Sequence, residues 1–193
     1  MPILPGQPDH HPPGLLEALA TKQGTGGFDL AQNAVWFAFY TLSRREKDLM
    51  RRLGAAGIPF YAPLIRRRTR SQGGGTRTAH IPLFPGYVFA HVDEDQRRSA
   101  LQTNTIARCI PIPESDALIE DLWSIQRLVA TAAPLTPEAR IGAGDRVRVR
   151  SGPLRGLEGF VIRRGGGERL LIAVRFLNQG ASVELEDFDV ERL

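Results

Sequence analysis

The decapeptide Ile81-Pro82-Leu83-Phe84-Pro85-Gly86-Tyr87-Val88-Phe89-Ala90 decides how the rest of this chain is read. Each proline biases the residue before it away from the α region, so Ile81 and Phe84 are extended. Gly86 can adopt backbone angles closed to its neighbours. Val88-Phe89-Ala90-His91-Val92 is β-branched and aromatic and reads as a strand. The chain therefore enters a rigid kink on Phe84, leaves it on Tyr87 and runs into a sheet. Two readings of this aromatic pair are open. Rigid aromatics suit a docking surface, and aromatics in a small α/β domain are usually core.

Upstream of the kink, Val35-Trp36-Phe37-Ala38-Phe39-Tyr40-Thr41 has strand composition. Ser43 and Glu46 have capping-box spacing and predict a helix start. Leu49, Met50 and Leu53 give that helix an apolar face, with Arg44, Arg45, Arg51 and Arg52 largely on the other side, and Gly54 and Gly57 close it. Pro59 to Ile65 reads as an extended segment whose prolines favour an edge. Arg66-Arg67-Arg68-Thr69-Arg70 continues it, Ser71 to Gly75 turns, and Thr76 to Ile81 returns, giving a hairpin with an arginine-rich arm. The triple glycine lacks the Lys-Ser/Thr of a phosphate loop and reads as a plain turn.

Downstream, Asp93-Glu94-Asp95 marks the start of a short polar helix, because negative charge is favoured there. Ala107 to Ile112 reads as a strand. Ile119, Leu122, Trp123, Gln126 and Val129 then have helical spacing behind a cap at Ser115 or Asp116. Residues 33–130 thus predict an α+β sandwich, with helices flanking an antiparallel sheet. Residues 1–32 are rich in Pro and Gly and read as a disordered tail with one short helical possibility, Leu15 to Ala20. His10-His11 has no neighbouring ligand and reads as part of that tail.

Residues 131–143 are small and weakly periodic, and read as a linker. The pattern then changes. Arg146-Val147-Arg148-Val149-Arg150 alternates strictly, and Gly152, Gly156 and Gly159 punctuate the next turn. Further strands are legible at Phe160 to Ile162, Leu170 to Phe176 and Ala181 to Leu185, with a turn at Arg164 to Glu168. Strands this short and close predict a small five-stranded β-barrel over residues 144–193. The glycines, Pro153 and the β-branched runs argue against a helical alternative for this domain.

The 193 residues carry a formal charge of +4 and 42% hydrophobic side chains. No apolar run reaches the roughly 20 residues of a membrane span. The N-terminus has neither the basic start nor the apolar core of a signal peptide. A single cysteine, Cys109, excludes an internal disulfide and fits a reducing, cytoplasmic setting. Residues 33–112 carry 13 basic and 5 acidic side chains, whereas residues 113–139 carry 1 and 5. Positive charge gathered in one domain points to a polyanion. Only Lys22 and Lys47 are lysines, and arginine is the better bidentate phosphate ligand.

These two patterns, in this order, resemble the NusG family of transcription elongation factors. Trp36-Phe37-Ala38-Phe39-Tyr40, Glu46, Pro63 and Leu83-Phe84-Pro85-Gly86-Tyr87-Val88-Phe89 are similar to the N-terminal NusG domain. Gly144 to Val149, Ser151 to Val161 and Val183-Glu184-Leu185 are similar to a KOW domain. The resemblance implies a factor that docks on the clamp helices of the largest bacterial RNA polymerase subunit. Tyr40, Phe84, Pro85 and Tyr87 would form that site, with Phe39 and Ala38 beside them. It further implies contact with upstream or non-template DNA, for which Arg44, Arg45, Arg66, Arg67, Arg68 and Arg70 are the candidates; a solvated arginine face is the other reading. The KOW barrel would recruit Rho or the ribosome. Phe176 to Leu185 departs from the housekeeping pattern, which favours a specialised RfaH-like antiterminator. Arg97-Arg98-Ser99-Ala100 lacks the His-Thr-Thr gate-loop contact of that branch. A housekeeping NusG-type factor and a ribosome-associated RNA-binding protein are the alternatives.

No residues assemble an active site. His80 and His91 lack partners at ligand spacing, and Cys109 lacks a local base. The expectation is a cytoplasmic, monomeric, non-catalytic protein with no cofactor, no metal and no membrane association.

Overall fold

The computed structural model describes residues 8–21, 33–70, 75–140, 144–185 and 190–193. It comprises two compact units, Met1–Ser115 and Asp116–Leu193.

In the first unit the chain runs β1 (His10–His11), α1 (Leu15–Thr21), β2 (Val35–Thr41), α2 (Glu46–Ala55), β3 (Phe60–Tyr61), β4 (Leu64–Arg70), β5 (Thr76–Pro82), β6 (Tyr87–Val92), α3 (Glu94–Leu101) and β7 (Ile106–Pro111). Five of the strands form an antiparallel sheet in the order β1-β3-β6-β2-β7, and β4 and β5 form a separate two-stranded ribbon. Alternation along β2 decides what each face carries. Phe39, opposite Val88 on β6, joins Leu49, Met50 and Leu53 of α2 in a closed apolar core. Trp36, Ala38 and Tyr40 point to the other face, opposite His91, Phe89 and Tyr87. This is the α/β sandwich read from the sequence, including the arginine-rich hairpin.

Three local expectations are corrected. Within the segment expected to be a disordered tail, His10–His11 pair with Phe60–Tyr61, and Leu15 and Leu16 of α1 are wholly buried. Consequently β3 is not an edge, because β1 covers its outer side. The Ser43–Glu46 capping box does not form. Helix α2 begins at Glu46 behind Arg45, with no side-chain cap, because the Glu46 carboxylate is engaged at Gly86 instead. By contrast α3 starts where the acidic run placed it, with Asp93 and Gln96 forming a reciprocal capping box.

The second unit contains α4 (Ser115–Ala130, from Asp116 onward), β8 (Thr136–Glu138), β9 (Asp145–Val149), β10 (Glu158–Arg164), β11 (Gly167–Val174), β12 (Gln179–Glu184) and β13 (Val190–Arg192). The backbone N–H and guanidinium of Arg175 donate to the Asp121 carboxylate at 2.8 and 3.0 Å, which ties α4 to the end of β11. Val147 and Val149 are buried while Arg146 and Arg148 are exposed, as the period of two requires.

The expected five-stranded KOW β-barrel is overturned. The strands form one antiparallel sheet of six, ordered β13-β9-β10-β11-β12-β8, and it does not close on itself among the described residues. Closure requires the terminal strands to pair with each other. Here β12 is paired on its outer side by β8, drawn from the segment read as linker, while β13 pairs with β9. With the β12 edge already satisfied, and both terminal strands three residues long, no ladder is left to complete a barrel.

Candidate functional site

The Pro85-Gly86 turn is held from three sides. Gly86 has φ +87°, a region that favours glycine. Its N–H donates to Glu46 Oε1 at 2.8 Å, and its C=O accepts from the Thr41 N–H at 2.7 Å. The Tyr87 N–H donates to the Phe84 carbonyl at 3.1 Å and closes the turn itself. A Cβ at Gly86 would lie 2.8 Å from Cε2 of Tyr40, so the Tyr40 ring rests directly over the glycine. The Tyr40 and Tyr87 ring centroids are 5.1 Å apart, tilted at 59°.

This turn divides the five residues expected at the docking site. Tyr40, 39% exposed, comes together with exposed Pro85 and half-buried Tyr87. Phe84 is 1% exposed and packs edge-on against Phe89, and Phe39 is fully buried in the core beneath the opposite face. Of the aromatic pair, Phe84 is a core residue and Tyr87 is half-buried beside the Tyr40 ring. Two contributors escaped the sequence reading. Glu46 looked like a cap and instead clamps Gly86 across 40 positions. Arg108 is exposed and lies opposite Tyr40 on β7, on the same face. Its place follows only from strand register, which has no local signature.

The arginines fall into two groups. Asp48 receives Arg45, Arg51 and Arg52 at 3.2, 3.3 and 3.5 Å, so one carboxylate is shared among these three charges and offsets them in part. Arg44 is exposed in the turn before α2, at φ +60°. On β4, Arg66, Arg67 and Arg68 are exposed, and none of them is ion-paired among the described residues. Arg66 and Arg68 share one face of the ribbon and Arg67 takes the other. Lys47 of α2 donates to the carbonyl of His80, the cross-strand partner of Arg66, and so brings the start of α2 beside the ribbon. The Arg70 side chain lies outside what is described.

The titratable groups that catalysis would need are poorly poised. Burial pushes the Cys109 thiol up, against a smaller opposing effect of the Arg97 guanidinium. Burial lowers His91 and so keeps it neutral, and burial raises the Tyr61 phenol, with Asp9 adding to the effect. Among the described residues no three His, Cys, Asp or Glu side chains come together as a metal site.

The family model for NusG, transcription termination factor nusG, matches residues 34–127. Comparison with curated protein sequences gave no match. Among solved structures, one described as "Crystal Structure of MjSpt4:Spt5 complex conformation B" is similar at 16% identity, over 82% of this chain and 97% of that one. Its TM-score of 0.26 is too low to carry an argument about fold or partner. The family match spans β2 to α4 and includes the whole Tyr40–Gly86–Tyr87 turn. Residues 34–127 thus form a domain of the NusG type, the domain of a family of transcription factors that are not enzymes.

Proposed function

We propose that this chain is a transcription elongation and antitermination factor that docks on the clamp helices of RNA polymerase through Tyr40, Pro85 and Tyr87. Phe84 supports that surface from within, while Phe39 belongs to the core on the other face of the sheet. The observation that carries the reading is the pinned Gly86 turn. Gly86 takes a left-handed conformation open to glycine, is held there by Glu46 and Thr41, and so fixes the surface pair of tyrosines around it. Rigid aromatics bind with little loss of side-chain freedom. Tyr40→Ala or Tyr87→Ala should each weaken binding to core polymerase by about 1–3 kcal/mol. Far-UV circular dichroism should stay unchanged. Wild-type affinity in both folded variants would remove the assignment.

The uncompensated arginines of β4, with Arg44, are the proposed contact to upstream or non-template DNA. Arg66, Arg67 and Arg68 changed together to Gln should flatten the dependence of log K on log salt by about 3, from the counterions that three phosphate contacts release. Affinity for the clamp helices should not change. An unaltered slope would mean that these side chains are simply solvated.

Recruitment of Rho or the ribosome by the second unit belongs to the same proposal, as do a monomeric state and a cytoplasmic location. No helix among the described residues is long and apolar enough to cross a membrane. The Phe176 to Leu185 segment favours a specialised, RfaH-like factor over a housekeeping one. The basic ribbon alone would also suit a ribosome-associated RNA-binding protein. Co-purification with core polymerase rather than ribosomes separates these readings, because rRNA binding does not need the tyrosine pair.

A further inference from the structure

The outer edge of β12 is covered by only three residues, Thr136, Pro137 and Glu138, paired with Ser182, Ala181 and Gly180. Thr136 and Pro137 are exposed, so this strand contributes little apolar burial. Pro137 has no amide to offer the ladder. What holds the segment is charge. Glu138 is 5% exposed, with one carboxylate oxygen accepting from the Ser182 hydroxyl at 2.7 Å and the other 3.0 Å from the Arg164 guanidinium. Arg169, itself 8% exposed, donates to that same hydroxyl at 2.9 Å, to Thr136 Oγ1 at 3.0 Å and to Glu184 at 2.8 Å. Ser182, fully buried, thus relays between a buried cation and a buried anion.

This arrangement is specific without being permanent. If the segment leaves, Glu138 regains water, and Arg169 keeps Ser182 and Glu184, so no buried charge is orphaned. An occupant without the carboxylate would leave the Ser182 hydroxyl with no acceptor, which is costly for a buried donor. We propose that the β12 edge is a binding site for an extended peptide carrying a carboxylate, and that residues 136–138 of this chain occupy it as a removable strap. While the strap is in place, the C-terminal sheet cannot add a partner strand at that edge. When it lifts, an acidic extended segment of a partner can pair there through backbone hydrogen bonds and the Arg169–Ser182 recess. This inference stands apart from the transcription reading and holds or fails without it.

The test uses the full chain. Glu138→Lys should expel the strap by placing a cation beside Arg164 and Arg169, and Glu138→Gln should loosen it. Amide exchange at residues 180–182 should then accelerate, with β10 unaffected. A fluorescent free peptide spanning Ala133–Arg140 should bind the Glu138→Lys chain at least about tenfold more tightly than wild type. Adding Ser182→Ala should weaken that binding about tenfold, as expected for the loss of one hydrogen bond to a charged group. Unchanged exchange at residues 180–182 in both variants would overturn the proposal, and so would equal binding of the peptide to wild type. Exchange accelerating across β10 as well would make β8 an integral strand instead of a strap. A wild-type dimer that exchanges β8 between copies would overturn occupancy within one chain.

Discussion

Phe84→Ala is expected to destabilise the N-terminal unit by about 3–5 kcal/mol, the usual cost of emptying a buried phenylalanine site. The ring is 1% exposed and packs edge-on against Phe89 with centroids 6.3 Å apart. Phe89 sits mid-strand on β6, between β2 and β3, so there is little room for collapse around the cavity. Phe84 also supplies the carbonyl that closes the turn onto Tyr87. The alanine variant keeps that carbonyl, so polymerase affinity should fall only in proportion to the unfolded fraction. Urea denaturation followed through the tryptophans gives the stability, and affinity measured well below the transition midpoint separates the two effects. Tyr87→Ala should show the opposite profile: small in stability, large in binding. A Phe84→Ala protein as stable as wild type would show that this ring is not part of the core.

Gly159→Val is expected to cost about 3 kcal/mol or more, at the upper end for forcing atoms into a packed interior. A Cβ at this position would lie 2.5 Å from the Leu171 carbonyl oxygen and 2.9 Å from Cδ1 of Ile172. The first obstacle is backbone, which cannot rotate away, so β10 and β11 would have to separate. Those two strands share a five-residue register, from Phe160–Leu171 to Arg164–Gly167, and shifting it disturbs the centre of the sheet. Gly166→Ala, in the turn at φ +86° with open space around it, should cost only about 1–2 kcal/mol of left-handed strain. Thermal melts of both variants test the contrast. Equal melting temperatures would mean that the close approach of β10 and β11 relaxes freely.

Much of the architecture was legible because it rests on local periodicity. The alternation in β9 and in the strand carrying Trp36, the apolar face of α2, the acidic start of α3 and the arginine-rich hairpin each arise from neighbours a few residues apart. Their physics is carried by backbone preference and by which side chains repeat on one face. The kink at Pro85-Gly86 was legible for the same reason, since both residues restrict or release backbone angles on their own.

What tertiary structure alone decided were pairings between distant residues. Glu46 has the spacing of a cap, yet its carboxylate accepts from the Gly86 N–H, brought to it from 40 positions away. Gly159 looked like turn punctuation and proves to be a strand glycine, needed because another backbone passes too close for a side chain. The apolar stripe of α4 was plain, but the Asp121–Arg175 contact that ties it to β11 joins residues 54 apart. The open sheet follows the same rule. Strand number and length suggested a closed barrel, but closure depends on which edges remain unpaired. That was settled by a threonine, a proline and a glutamate in a segment with no strand signature, held by a buried arginine and serine whose proximity no local pattern encodes.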